Sequence, residues 1–459
     1  MNAQHSSTIG KLNYAIGFGN ESAKGFSSAT DLTGKNNFDK DGYRNNNWFA
    51  NINYAFNQNW NLKAFTQQTS YNADIDYGTF KDDKDEKFNN ATKFTGFILK
   101  YKKEKTVFQL QYQLSTQDRQ YKNDSVDKTY TIFEDNQYAG KSHFADAFFS
   151  KSISKNIQWI SGVDFRYGSY HQTYISISKW GPYNDNFKDT FQYQTALYSS
   201  LLINDASNKW LLELGGRNNK HNRYGSNQTF TISPSYKLNA NIRFMASAST
   251  GYKAPSLYQL SYNEKLKPEE SFNTEIGMEY KTNPLFIRAV YYNRTIENGI
   301  DYNYIDYNFF NYIQQKVNGL ELEFNWKANE KNNFSANYTL MNGQETNQNR
   351  VTTKDTITYN YLLKRPKNTA GIQWTYEVSP KLNFSMAARY ISKRYDVGGY
   401  AAADVSLKSY TLLNAHIQYK LNKHLLLYAD GQNLANAVFQ EINGYNTIGR
   451  MLMIGLRLK

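Results

Sequence analysis

Short polar turns and long variable loops alternate down the whole chain, and few architectures accept that rhythm. Tight turns fall at Asn57-Gln58-Asn59, Lys102-Lys103-Glu104-Lys105, Ser154-Lys155-Asn156, Asp205-Ala206-Ser207-Asn208 and Leu238-Asn239-Ala240-Asn241. Four more follow at Thr282-Asn283-Pro284, Asn329-Glu330-Lys331-Asn332, Ser379-Pro380-Lys381 and Leu421-Asn422-Lys423-His424. Neighbouring turns are mostly ~45 residues apart, and each interval holds two long alternating strands joined by a polar loop of ~10–25 residues. Short connections at one end and long ones at the other are the plan of an all-β, antiparallel up-and-down transmembrane β-barrel.

Individual strands suit a bilayer. Trp48, Ala50, Ile52, Tyr54 and Phe56 share one face, while Asn51 and Asn53 take the other. Trp210, Leu212 and Leu214 oppose Glu213 and Gly215; Leu452, Ile454, Leu456 and Leu458 oppose Gly455 and Arg457. A period of two sends one set toward lipid and the other into a wet interior. Runs of ~10–14 residues exceed the ~5–6 of soluble strands and match the ~9–11 that a tilted strand needs to cross hydrocarbon. Trp60, Trp159, Trp210, Trp326 and Trp374 each lie within a few residues of a short turn. That one-sided placement fits an interfacial aromatic girdle, against the plainer reading that aromatics are common in any β-protein. A β-propeller also repeats every ~40–45 residues, but each of its blades packs four short strands into that period.

No linker or composition shift interrupts the 459 residues, which read as one barrel domain. No apolar run reaches the ~18 residues of a helical span. A mean hydropathy of −0.74 agrees with a barrel, whose interior face and loops dilute the apolar signal. Cysteine is absent, which excludes disulfides and Cys-based zinc sites. The net charge of +13 is spread over turns, loops and interior positions. With no nucleic-acid motif present, it reads as solvated turns and contacts to anionic lipid headgroups rather than a nucleic-acid surface. The six histidines have no metal-ligand spacing. No Gly-x-Ser-x-Gly, phosphate loop or dinucleotide fingerprint is present, so the chain does not read as an enzyme.

The middle of the chain runs Gly251-Tyr252-Lys253-Ala254-Pro255-Ser256-Leu257-Tyr258, then Leu266-Lys267-Pro268-Glu269-Glu270-Ser271. This resembles the central barrel motif of TonB-dependent outer-membrane receptors, within them the cobalamin and siderophore branch. Val317-Asn318-Gly319-Leu320-Glu321 resembles a strand start of that family, and Leu362-Leu363-Lys364-Arg365-Pro366 its Arg-Pro strand start. Tyr390-Ile391-Ser392-Lys393-Arg394-Tyr395 resembles the next hairpin; Asn433-Leu434, Gly444-Tyr445 and Gly449-Arg450 resemble the last loop and strand. The matches cover the second half, and the first half follows only by pattern. Ala435 departs from the family, which often has Phe after Asn-Leu.

The resemblance implies a barrel of about 22 strands in the cell outer membrane, filled by an N-terminal plug. It further implies a monomer in contact with membrane lipid and lipopolysaccharide, a small nutrient ligand in the outer loops, and work supplied by TonB acting on the plug. Nine turns give about twenty strands. The start Met1-Asn2-Ala3-Gln4-His5-Ser6-Ser7 has no apolar signal-peptide stretch. The expectation is a barrel portion, with the plug, signal peptide and first hairpin outside this chain.

Loops on a rigid scaffold carry binding residues. Tyr302, Tyr304, Tyr307, Phe309, Phe310 and Tyr312 make one aromatic loop; Trp180, Tyr183 and Phe187 make another. Such rings suit a corrin, an aromatic siderophore or a sugar, against a plainer role in loop packing. Asp74, Asp76, Asp82, Asp83, Asp85 and Glu86 concentrate carboxylates in one loop. Calcium takes ~6–8 oxygens, so Asp74, Asp76, Asp82 and Asp83 are its candidate ligands, although the spacing is not an EF-hand and a solvated acidic loop is the alternative. The functional expectation is active uptake of a bulky, scarce nutrient such as cobalamin or an iron-siderophore. A passive porin is the alternative, and an upstream plug sequence separates the two.

Overall fold

The computed structural model describes residues 1–35, 37–124 and 131–458. Its first strands are β1 (Asn2–Ile9), β2 (Leu12–Phe26), β3 (Asp41–Ala55), β4 (Trp60–Asp74), β5 (Lys87–Lys103), β6 (Thr106–Asn123), β7 (Thr131–Ser152), β8 (Ile157–Ser178) and β9 (Gly181–Asn204). Next come β10 (Trp210–His221), β11 (Gly225–Lys237), β12 (Ile242–Lys253), the short helix α1 (Leu257–Tyr262), β13 (Glu269–Lys281) and β14 (Leu285–Glu297). A small hairpin of β15 (Ile300–Asn303) and β16 (Asn308–Asn311) precedes β17 (Gln314–Lys327), β18 (Asn332–Gln348) and β19 (Thr356–Tyr359). The chain closes with β20 (Asn368–Ser379), β21 (Leu382–Ile391), β22 (Arg394–Asp396), β23 (Val405–Leu407), β24 (Tyr410–Lys420), β25 (Leu425–Gln432) and β26 (Met451–Leu458). Among the described residues 22 of these strands form one sheet; β15–β16 and β22–β23 are separate two-stranded hairpins in the loops.

All nine turns read from the sequence join strands, and most close on their own side chains. Asn57 Oδ1 accepts hydrogen bonds from the N–H groups of Asn59 and Trp60 at 2.9 and 3.0 Å. Ser154, Asn239, Asn329, Ser379 and Asn422 do the same for the residues two and three places on. This is why Asn and Ser recur there: a short side-chain acceptor satisfies amides that the turn leaves without a ladder partner. A tenth turn, Gly10-Lys11, joins β1 to β2 with Gly10 at φ +58°. It lacks a side-chain acceptor and so lacks the sequence signal. It adds one long strand to the expected twenty, and the short β19 beside β18 accounts for the last of the 22.

Packing divides the chain into two compact units, one comprising Met1–Ile203, Glu213–Phe230 and Ala254–Lys265, the other Asn204–Leu212, Thr231–Lys253 and Leu266–Lys459. In the first, a cross-strand row runs Leu12, Tyr54, Leu62, Leu99, Leu110, Ala147, Val163, Leu197. One residue along, the opposite face reads Asn13, Asn53, Lys63, Ile98, Gln111, Asp146, Asp164. In the second, the apolar row is Ile242, Tyr280, Ile287, Phe324, Ala336, Ile372, Ala388, Leu413. Its opposite row begins Arg243, Glu279, Arg288, Glu323, a ladder of alternating charge with Arg243 and Glu279 paired at 2.8 Å. Apart from Ile98 in the polar row, each of these rows keeps one character across many strands, as a surface between lipid and water must.

Ile52 and Ile454, on the apolar face, are 48% and 85% exposed. Tryptophans cluster at the turn end: Trp60 meets Tyr101 at 4.9 Å, Trp210 meets Tyr236 at 4.4 Å, and Trp326, Phe334 and Trp374 stack at 5.6 and 6.3 Å. At the other end the strands overrun any bilayer. β7, β8 and β9 have 22, 22 and 24 residues, about twice what hydrocarbon requires.

Candidate functional site

In the first unit the loops after β2 and β4 meet through carboxylates. Asp76 is buried; its Oδ2 accepts from the Ala29 N–H at 2.5 Å and from the hydroxyls of Ser28 and Ser27 at 2.9 and 3.2 Å. Its Oδ1 accepts from Asp83 N–H, and Asp82 Oδ1 accepts from Asp39 N–H, each at 3.0 Å. Carboxylate oxygens of Asp39, Asp76 and Asp82 lie within 4.8 Å of one another. Burial, with Asp82 and Asp76 alongside, holds the Asp39 carboxyl above its ordinary range. Buried Oδ1 atoms of Asp39 and of neighbouring Asp41 have no hydrogen-bond partner. An all-oxygen donor set with such orphaned atoms fits a hard divalent cation of the calcium type.

Of the four aspartates expected to bind calcium, Asp76 and Asp82 enter this cluster. Asp83 folds the loop instead, accepting from the N–H groups of Asp85 and Glu86 and from Asn123 Nδ2 at 2.8 Å. Asp74 ends β4 opposite Lys87. Asp39 was not legible in the sequence, because it lies in a different loop and meets the others only through hairpin packing.

The same unit holds a recess of about 580 Å³, walled by Tyr121, Tyr138, Tyr170, Tyr174 and Tyr258 with Arg119. Tyr258 reaches it from α1. That helix starts at a capping box in which Ser256 Oγ accepts from Gln259 N–H and Gln259 Oε1 accepts from Ser256 N–H. Pro255, fully buried, sets the chain up for that cap. The Tyr258 ring lies 6.1 Å from both Tyr138 and Tyr170 and 5.2 Å from Tyr262. Single tyrosines on separate strands carry no local sequence signal, so only the structure assembles this wall. Trp180 and Tyr183, by contrast, crown the β8–β9 hairpin and are 76% and 55% exposed, with Lys179 over the Trp180 ring at 4.6 Å.

In the second unit the β15–β16 hairpin divides its aromatics among three roles. Tyr302, Tyr304 and Phe310 line a cavity of about 220 Å³. Phe309 packs on Tyr302 at 5.0 Å, and buried Tyr312 covers Gly299, where any side chain would collide with its ring. Tyr307 is exposed and stacks on Tyr400 at 6.4 Å. A larger recess of about 940 Å³ is bordered by Lys316, Arg365, Lys367 and Lys393 among Asn and Gln side chains.

The residues that carry the family resemblance build scaffold. Gly251 faces Ser271 across the ladder, and Pro268 leads into β13. Glu269 pairs with Lys253 at 2.9 Å and accepts from Ile300 N–H at 2.8 Å, anchoring the aromatic hairpin. Gly319 leaves room for the Tyr292 ring, and Glu321 follows on the same face, opposite Val290 and Thr339. Arg450 N–H donates to Asn436 Oδ1 at 2.9 Å, and the same oxygen lies over Gly449, holding the last loop against β26.

Comparison with known proteins gives this geometry its context. Residues 2–434 match the family described as TonB dependent receptor-like, beta-barrel. The vitamin B12 transporter BtuB of Vibrio cholerae serotype O1 is 26% identical over 470 aligned positions, covering 97% of this chain and 69% of that protein. Among solved structures, the siderophore receptor PiuA from Acinetobacter baumannii superposes with a TM-score of 0.79 at 16% identity, covering 100% of this chain and 79% of that one. The FrpB iron transporter from Neisseria meningitidis gives a TM-score of 0.80 at 12% identity with the same coverage. At those identities the structures speak for fold alone. The family match sets aside the passive porin, and the chain belongs to the TonB-dependent receptor β-barrel family.

Proposed function

We propose that the chain serves uptake of a corrinoid, the nutrient class of vitamin B12, across the outer membrane, with energy supplied through TonB. The observation that carries this reading is the alignment with a vitamin B12 transporter along 97% of the chain. The siderophore receptor PiuA and the FrpB iron transporter share the fold at 16% and 12% identity. Two features of the first unit support it: a tyrosine-walled recess suited to stacking on a large flat ring, and the carboxylates of Asp39, Asp76 and Asp82 on neighbouring loops. In this reading calcium joins those loops and orders the mouth for ligand. The apolar rows face membrane lipid and the loop tips meet lipopolysaccharide around a monomer. No covalent chemistry is involved.

The test is equilibrium binding of cyanocobalamin to the protein in outer-membrane vesicles, with calcium and with a chelator. Saturable binding that weakens on chelation is expected, and Asp76→Asn should lose the calcium effect. Absence of corrinoid binding alongside saturable binding of a ferric siderophore would replace this ligand class with the other.

A further inference from the structure

We infer that the cavity beside the β15–β16 hairpin is a binding site for an alkylammonium group. Its walls combine three aromatic rings, from Tyr302, Tyr304 and Phe310, with the carboxylates of Asp301 and Asp404. The charge does not balance. Arg350 pairs with Glu345 at 2.6 Å and Asp404 at 2.7 Å, and its guanidinium lies over the Tyr359 ring at 3.9 Å. Lys364 in the cavity wall is engaged by Asp396 at 3.5 Å. Two cations, Arg350 and Lys364, line the cavity with Asp301 and Asp404, and with Glu345 and Asp396 behind them four acids surround those two cations; Asp301 joins the group through Asn347, which donates to both Asp301 and Glu345.

A second observation points to a ligand. The Asp404 side chain is 4% exposed and lines the cavity, its Oδ2 holds Arg350 and the Tyr361 hydroxyl, and its Oδ1 has no hydrogen-bond partner. A buried carboxylate oxygen without a donor is costly, and a protonated amine supplies both the charge and the donor. The aromatic walls discriminate among cations. Ring faces attract an organic ammonium and stabilise its alkyl carbons, whereas a hard metal ion needs oxygens on most sides. At about 220 Å³ the cavity admits a short amine chain and not a bulky nutrient. The proposal is therefore independent of the corrinoid reading.

The amine can come from a free polyamine or from the arm of a larger solute. Calorimetric titration of the purified full chain in detergent uses spermidine for the first and Nα-acetyl-lysine methylamide for the second, with n-butanol as the uncharged control. Saturable binding of either amine, unmatched by butanol, supports the site, and whichever amine binds identifies the source. Asp404→Asn removes an ion pair that Arg350 uses and risks the local fold, so Asp301→Asn, which leaves both Arg350 pairs intact, is the decisive variant. It should weaken amine binding about tenfold, as expected for loss of one charge-assisted contact. Failure of both amines to bind, or undiminished affinity in Asp301→Asn, overturns the proposal.

Discussion

Placing arginine at Ile52 and, separately, at Asn53 tests the lipid-facing assignment at adjacent positions. Ile52 lies opposite Tyr14 and Ala64, and Asn53 opposite Asn13 and Lys63. Ile52 lies five positions before Asn57, where the turn begins. At ~3.3 Å per residue and a strand tilt of about 40°, Ile52 stands roughly 13 Å above the turn, the middle of an apolar band ~25 Å tall. Ile52→Arg should therefore destabilise the protein by about 2–4 kcal/mol, the cost of a guanidinium at the bilayer midplane. Asn53→Arg faces the aqueous side and meets only the like charge of Lys63, so its cost should stay below about 1 kcal/mol. Guanidinium unfolding in lipid vesicles, followed by tryptophan fluorescence, measures both. Equal losses, or a larger loss at Asn53, would mean that the apolar face does not meet lipid.

Three further outcomes follow from particular contacts. Gly319→Val should destabilise by about 1–3 kcal/mol in the same assay, since a Cβ there meets the immovable Leu340 carbonyl oxygen at 2.4 Å; Gly216→Ala, with nothing within 4 Å, is the control. Arg350→Met strands the buried carboxylates of Glu345 and Asp404 and should cost about 3–5 kcal/mol, read as a lowered melting temperature. The third concerns pH. Because the folded-state pKa of Asp39 is raised, the folded state binds its proton more tightly than the unfolded chain, so stability falls as pH rises from about 4 through that raised value. Loop proteolysis in chelator should quicken over that range and added calcium should flatten the profile; Asp39→Asn should reduce its slope while Asp41, which burial pushes up to about 6, still titrates there, and an unchanged profile in the variant would remove Asp39 as a cause.

Much of the architecture was legible because its causes are local. An Asn or Ser acceptor closes a turn within three residues, as at Asn57 and Ser154, and an alternation such as Trp48 to Phe56 assigns a face without knowledge of any partner strand. Gly10-Lys11 carries no such acceptor, because a two-residue turn built on a positive φ needs none. The aromatic hairpin was recognisable as a cluster, yet its composition could not say that Tyr312 would pack on Gly299 while Tyr302, Tyr304 and Phe310 would line a cavity. Asp39 and Asp76 meet across two hairpin loops, and Tyr258 meets Tyr138 from a helix far along the chain. Such meetings depend on which loops the registers of many strands bring together. Period and turn chemistry set each strand and its outward face from neighbours a few residues away; the carboxylate cluster, the tyrosine recess and the unbalanced charge around Arg350 exist only once distant loops are packed.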